Sequence, residues 1–147
     1  MKKSILFSIV FFSIFSFCNR SYAASPDWKL YKSVSGIQIM YSYQECHDKF
    51  NDLHQEIVIF KLVNTTEVNY QIEWKMNFWY NGVCRNCNVN GKEFQMKVDV
   101  PAGETVAGEC YQGKHVRELT LFSKFLNYTD KSVLTKFELE NIKVSVK

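Results

Sequence analysis

Proline and glycine are scarce, at 2 and 6 of 147 residues, and histidine occurs only 3 times. So little proline and glycine excludes a collagen-like repeat or a flexible linker. No internal repeat or low-complexity tract is visible either, so nothing divides the chain after its N-terminus. Beyond residue 23 there is no apolar run near the ~20 residues that a membrane-spanning helix needs. Excess charge of one sign is also missing once the first 23 residues are set aside. They hold Lys2, Lys3 and Arg20 and no acid, which leaves 15 Lys+Arg against 15 Asp+Glu. A neutral chain without a basic stripe argues against nucleic-acid binding, where phosphate contacts supply most of the affinity. It argues equally against a polybasic membrane patch.

The N-terminus itself has an export pattern. Lys2 and Lys3 precede an apolar run from Ile5 to Phe17, and Ser21-Tyr22-Ala23 supplies small side chains at the two positions a signal peptidase reads. Residues 1–23 are therefore expected to be a cleaved signal peptide, and residues 24–147 one secreted or periplasmic domain with no membrane anchor after cleavage. Cys18 follows Phe17, which is too large for lipoprotein processing.

What is abundant is aromatic and β-branched residues in alternation. From Val68 to Tyr80 the even positions Val68, Tyr70, Ile72, Trp74, Met76, Phe78 and Tyr80 are apolar, and polar residues fill positions 69–77 between them. Only a half-buried strand explains that period. Further strands are expected at 37–43, 55–63, 93–100, 105–109, 116–126 and 134–146, with an early one near 28–34. Residues 55–63 are apolar on both parities, as a central strand would be. The apolar parity switches at Glu140-Asn141, which predicts a bulge. Asn64-Thr65-Thr66, Asn81-Gly82, Asn90-Gly91, Pro101-Ala102-Gly103 and residues 127–131 punctuate these runs as turns. One helical turn is expected within 44–53. The resulting expectation is an all-β, antiparallel immunoglobulin-like sandwich of seven to eight strands.

Residues 94–110, Phe-Gln-Met-Lys-Val-Asp-Val-Pro-Ala-Gly-Glu-Thr-Val-Ala-Gly-Glu-Cys, resemble a strand–turn–strand common in immunoglobulin-like domains of bacterial secreted proteins. The mature chain is similar to small uncharacterised proteins of that kind. The resemblance implies a fold and carries over no catalytic or binding residue.

Four cysteines remain after residue 23: Cys46, Cys84, Cys87 and Cys110. If successive loops alternate between the two ends of the sandwich, all four gather at one end with His47 and His115. An even count in an exported chain favours disulfides, with Cys84–Cys87 and Cys46–Cys110 the favoured pairs. Chain entropy assigns the longer loop about 4 kcal/mol and the shorter about 2. The alternative is a periplasmic metal-binding or thiol-redox protein: Cys84-x-x-Cys87 has ligand spacing, Cys46 and Cys110 could complete a zinc set, and His47 or His115 could substitute. A redox pair usually rests on a helix N-terminus, and here Arg85 is the one nearby helper.

Trp79 is on the polar parity of its strand and is a candidate partner contact for a protein or glycan. His54 reads as a solvated strand end. The three histidines form no nucleophile–base–orienter set, so no enzyme activity and no cofactor are expected. Asn64-Thr65-Thr66 and Asn127-Tyr128-Thr129 match the glycosylation acceptor pattern, which matters only in a eukaryotic secretory pathway. The reading is a disulfide-stabilised binding module.

Overall fold

Alternating side chains put one face of each strand in water and the other against a second sheet, and that is the arrangement found. The computed structural model describes residues 25–129 and 132–147. The expected signal peptide at 1–23, Cys18 and the last two residues of the 127–131 turn lie outside them. Among the described residues the strands are β1 (Lys29–Val34), β2 (Ile37–Asp48), β3 (Leu53–Asn64), β4 (Tyr70–Tyr80), β5 (Val83–Cys84), β6 (Gln95–Val100), β7 (Thr105–Ala107), β8 (Thr120–Phe125) and β9 (Leu134–Val146). One short helix, α1 (Val116–Leu119), precedes β8.

All pairings are antiparallel and make two sheets. In the first, β2 runs along one side of β3 from Leu53 to Asn64, while β7 and β8 share the other side end to end. β1 extends it beyond β2. In the second, β9 runs along one side of β4, and β5 and β6 share the other. Four strand positions therefore pack over three. The core between them holds Ile37, Ile39, Val58, Phe60 and Leu62 from the first sheet, and Ile72, Trp74, Met76, Met96, Val98, Val100, Leu134 and Leu139 from the second.

Several sequence expectations need correction. Nine strands are present among the described residues where seven or eight were expected; the addition, β5, is two residues long and too short to show a period. The helical turn expected within 44–53 is absent, because β3 offers β2 ladder partners as far as Asp48↔Leu53. Among the described residues the one α-helical turn instead occupies the start of the expected 116–126 strand and buries Leu119. By contrast, the parity switch in β9 is a bulge. Glu73 pairs Lys143 and Lys75 pairs Glu140, so Asn141 and Ile142 both face Trp74, and Asn141 takes a φ of 54°. β3 is buried on both faces between Ile57 and Phe60, as a central strand should be.

Two hairpins close on left-handed pairs, Ser35-Gly36 and Asn81-Gly82, whose positive φ at both residues suits the strand twist. At the same end as the first of these, Asn64 ties two sheet-to-sheet crossings together. Its Nδ2 donates to the carbonyls of Val68 (2.7 Å), Val100 (3.2 Å) and Pro101 (2.9 Å), and its Oδ1 accepts from the Thr66 N–H (3.0 Å) and hydroxyl (2.9 Å). Asn64 is 2% exposed, so its amide is not an accessible glycan acceptor in the folded protein.

The lateral seams are clipped by two tyrosines. On one side the Tyr31 hydroxyl, from β1, accepts the Leu139 N–H of β9 at 2.9 Å. On the other the Tyr80 hydroxyl, from β4, donates to the Phe122 carbonyl of β8 at 2.5 Å. Each replacement, Tyr31→Phe or Tyr80→Phe, should cost about 1 kcal/mol in denaturant titrations near neutral pH. Burial, partly offset by the Arg85 charge, pushes the Tyr80 hydroxyl up to about 12, against about 10 in an unfolded chain. Its contribution is complete below pH 10 and is lost as pH rises towards 12. Over that window wild-type stability should fall more steeply than that of Tyr80→Phe.

Candidate functional site

A β-sandwich concentrates chemistry where side chains leave the ladder, and three such places stand out. The first is the tip of the β2–β3 hairpin. Asp48 builds it: its carboxylate accepts the N–H groups of Phe50 (3.0 Å) and Asn51 (3.2 Å) and the Asn51 side-chain amide (2.6 Å). The Asn51 amide leads the bonds that hold the Asp48 carboxyl below its usual range. Asp52 completes the reversal with a φ of 50°. From β8's end, Asn127 accepts the His54 N–H (3.1 Å) and donates to the Asp52 carbonyl (2.7 Å), and Tyr128 donates to the same carbonyl (3.3 Å). The result is a tied turn on which Phe50 is 96% exposed. Tyr43, Leu126 and Tyr128 are exposed apolar groups on the same strands and on the segment tied to the tip.

His47 and His54 face each other across this hairpin, with ring centroids 5.1 Å apart. His54 Nε2 lies 3.3 Å from a Glu45 oxygen. So His54 is held by a carboxylate and a neighbouring ring and is not simply a solvated end.

The second place is the outer face of the first sheet. Cys46, Ile57 and Ile59 form a small buried cluster there, covered by Trp28 and Cys110. The Cys46–Cys110 disulfide spans 64 residues and pins the segment after β7 onto this face. Tyr111 adds a hydrogen bond from its hydroxyl to the Cys46 carbonyl (3.1 Å), and the Lys61 ammonium sits 4.1 Å from the Trp28 ring centroid. Between this segment and the hairpin tip runs an open groove of about 520 Å³, lined by His47, Asp48, Lys49, Cys110, Tyr111 and Gln112.

The third is the β4–β6 connection. β6 pairs β4 up to Lys75 and β5 pairs it from Trp79. Between them Asn86 takes the place of a strand. Its Nδ2 donates to the Met76 carbonyl (2.7 Å) and its Oδ1 accepts the Phe78 N–H (3.1 Å). The Cys84–Cys87 disulfide closes the loop around it. Lys75 is 7% exposed, and its ammonium donates to the Cys87 carbonyl at 3.4 Å.

The structure pairs Cys46 with Cys110 and Cys84 with Cys87, against different sheets. Cys46–Cys110 belongs to the outer face of the first sheet, whereas Cys84–Cys87 borders the second. The segment after β7 packs on that outer face before α1, where Cys110 meets Cys46, Ile57 and Ile59. His115 sits at the start of α1 beside Glu118, at 3.8 Å. Among the described residues no group of three or more His, Cys, Asp or Glu side chains is placed to hold a metal ion. The alternative set Cys46, Cys84, Cys87, Cys110, His47 and His115 is therefore not brought together. Trp79 does lie on the outer face of the second sheet, half-buried, with the Lys136 ammonium 4.4 Å from its ring centroid. That cation covers one face of the ring. Phe50 was missed because it breaks no pattern; the Asp48–Asp52 turn chemistry around it was the available signal.

No protein-family model matches the chain, no curated protein matches its sequence, and no solved structure matches its fold.

Asn86→Ala strips partners from a buried carbonyl and N–H and should cost about 2–3 kcal/mol. Replacing both Cys46 and Cys110 with alanine should cost about 4 kcal/mol, against about 2 for both Cys84 and Cys87. Urea titration of the three variants checks the order.

Proposed function

We propose that this protein is exported, loses residues 1–23, and acts in the periplasm or outside the cell as an immunoglobulin-like binding module without enzymatic activity. Two disulfides support an oxidising destination. The immunoglobulin-like reading is supported by four strand positions over three, with β3 pairing β8 in one sheet and β4 pairing β9 in the other. The binding role rests on one observation: Phe50 is 96% exposed on a turn whose backbone is fastened from both sides. Holding a large apolar side chain in water lowers solubility and adds nothing to the fold. A fastened turn also has little entropy left to lose when it docks. Those are the properties of a preorganised interface anchor.

The partner that fits is a protein surface with an apolar pocket for Phe50 and an acidic group for the adjacent Lys49. Phe50→Ala should leave the melting temperature within about 2 °C, since the residue touches no core, and should weaken the complex at least about tenfold. A photo-crosslinking phenylalanine at position 50 would identify the partner, and titration calorimetry would measure it. Equal affinity for wild type and Phe50→Ala would sink the assignment. N-terminal sequencing of the exported protein should begin at Ala24.

A further inference from the structure

The two disulfides sit in different chemical surroundings. Cys46 is buried in an apolar cluster with no charged neighbour in that cluster, and its bond to Cys110 spans 64 residues. Cys84 and Cys87 are both partly exposed, and their bond spans 3. Closing so short a loop adds the least chain entropy, so the fold depends less on this bond than on Cys46–Cys110. Three features favour a thiolate at Cys84 once the bond opens. The Cys87 N–H donates to Cys84 Sγ at 3.0 Å. Arg85 sits between the two sulfurs in sequence. Lys75, buried on the strand beneath, has the neutral Cys87 carbonyl as its hydrogen-bond acceptor and no ion-pair partner among the described residues. A buried ammonium facing a carbonyl lacks a counter-charge, and a reduced pair would supply one. Asn86, fixed to β4 through both ends of its amide, keeps the loop in shape when the bond is open.

We propose that Cys84–Cys87 is an exchangeable disulfide that oxidises one partner dithiol stoichiometrically, without catalytic turnover, whereas Cys46–Cys110 is inert. A partner thiolate attacks Cys84 Sγ; the Cys84–Cys87 bond breaks, and Cys87 leaves as a thiolate and takes up a proton. The partner's second thiol, giving up its proton, attacks its own sulfur in the mixed disulfide. The partner's disulfide forms, and Cys84 departs as the thiolate held by the Cys87 N–H. Two electrons pass from the partner dithiol to this protein. A thiolate stabilised in this way is the better leaving group.

The full folded protein, equilibrated in graded mixtures of reduced and oxidised glutathione, acid-quenched, alkylated and mapped by mass, tests this. Cys84 and Cys87 should reduce together in mixtures at least about tenfold less reducing than Cys46 and Cys110 require. In Cys87→Ser, which keeps the backbone N–H, glutathione should be trapped on Cys84. Iodoacetamide labelling of Cys84 should then reach half its maximal rate below the ordinary thiol value of about 8.5, and Arg85→Glu should move that midpoint up. Coincident reduction of the two disulfides overturns the proposal, and so does a Cys84 midpoint at or above the ordinary value. If Cys87→Ser does not fold, the wild-type titration decides alone.

Discussion

Along β4 the backbone must find hydrogen-bond partners on both edges for eleven residues, and Ile72 and residues 74–77 among them are buried. One edge is simple, because β9 runs its whole length and absorbs a two-residue surplus, one residue in the bulge at Asn141 and one in the register shift opposite Trp79 and Tyr80. The other edge is not. β6 stops opposite Lys75, β5 begins opposite Trp79, and the interval would leave a buried carbonyl and N–H without partners. Each such group costs roughly 1–3 kcal/mol when orphaned. Asn86 fills the interval with an amide, the one side chain that carries the donor and acceptor of a peptide group in the same relative positions. The cysteines on either side of it, the Asn81-Gly82 reversal before it and the burial of Lys75 beneath it all follow from bringing that amide to that place.

The same economy recurs at the seams and at the crossings. Tyr31 and Tyr80 send hydroxyls across the gap between sheets to backbone groups of the facing edge strands. The Tyr31 contact also takes an outward N–H of β9, an edge strand of thirteen residues that would otherwise offer a long template for another chain. Asn64 satisfies three carbonyls where two connections pass from sheet to sheet. Polar side chains that resemble backbone thus finish what the ladders leave open, and the core between the sheets is left to apolar packing.

The proposed binding tip and the proposed exchange loop lie on opposite sheets for a physical reason. The hairpin tip extends β2 and β3, so it inherits their rigidity and can hold an aromatic side chain in water without ordering it anew. The proposed exchange loop is attached to β4 by the short β5 ladder at Cys84 and by the Asn86 amide, so its covalent bond can open while its position persists. The long-range disulfide has the reverse assignment. It holds Trp28 and the segment after β7 against Ile57 and Ile59, and its Cys46 side is buried in that apolar cluster.

Much of the architecture was legible in the chain. Period-two alternation located β4 and β6, two-sided apolarity marked β3 as central, and a parity switch located the bulge in β9, because side-chain alternation in a strand is a local rule that sequence carries directly. Disulfide stabilisation was legible from the even cysteine count. Local rules did not reach β5, which is shorter than one period, or α1, whose Leu119 is buried only because a sheet lies under it. Nor did they reach the separation of the two disulfides, which depends on the segment after β7 packing on a sheet face. Asn86 reads as an ordinary loop residue, Phe50 as an ordinary turn residue, and Tyr31 as one aromatic among many. Their roles are relations between positions far apart in sequence: a gap in a ladder, an outward-facing tip, an unpaired edge. The sequence by itself determined which segments are strands and which faces they bury. Which backbone groups those strands leave unpaired, and which side chains answer them, was decided only by the tertiary structure, because an unmet hydrogen bond exists only once its neighbours are in place.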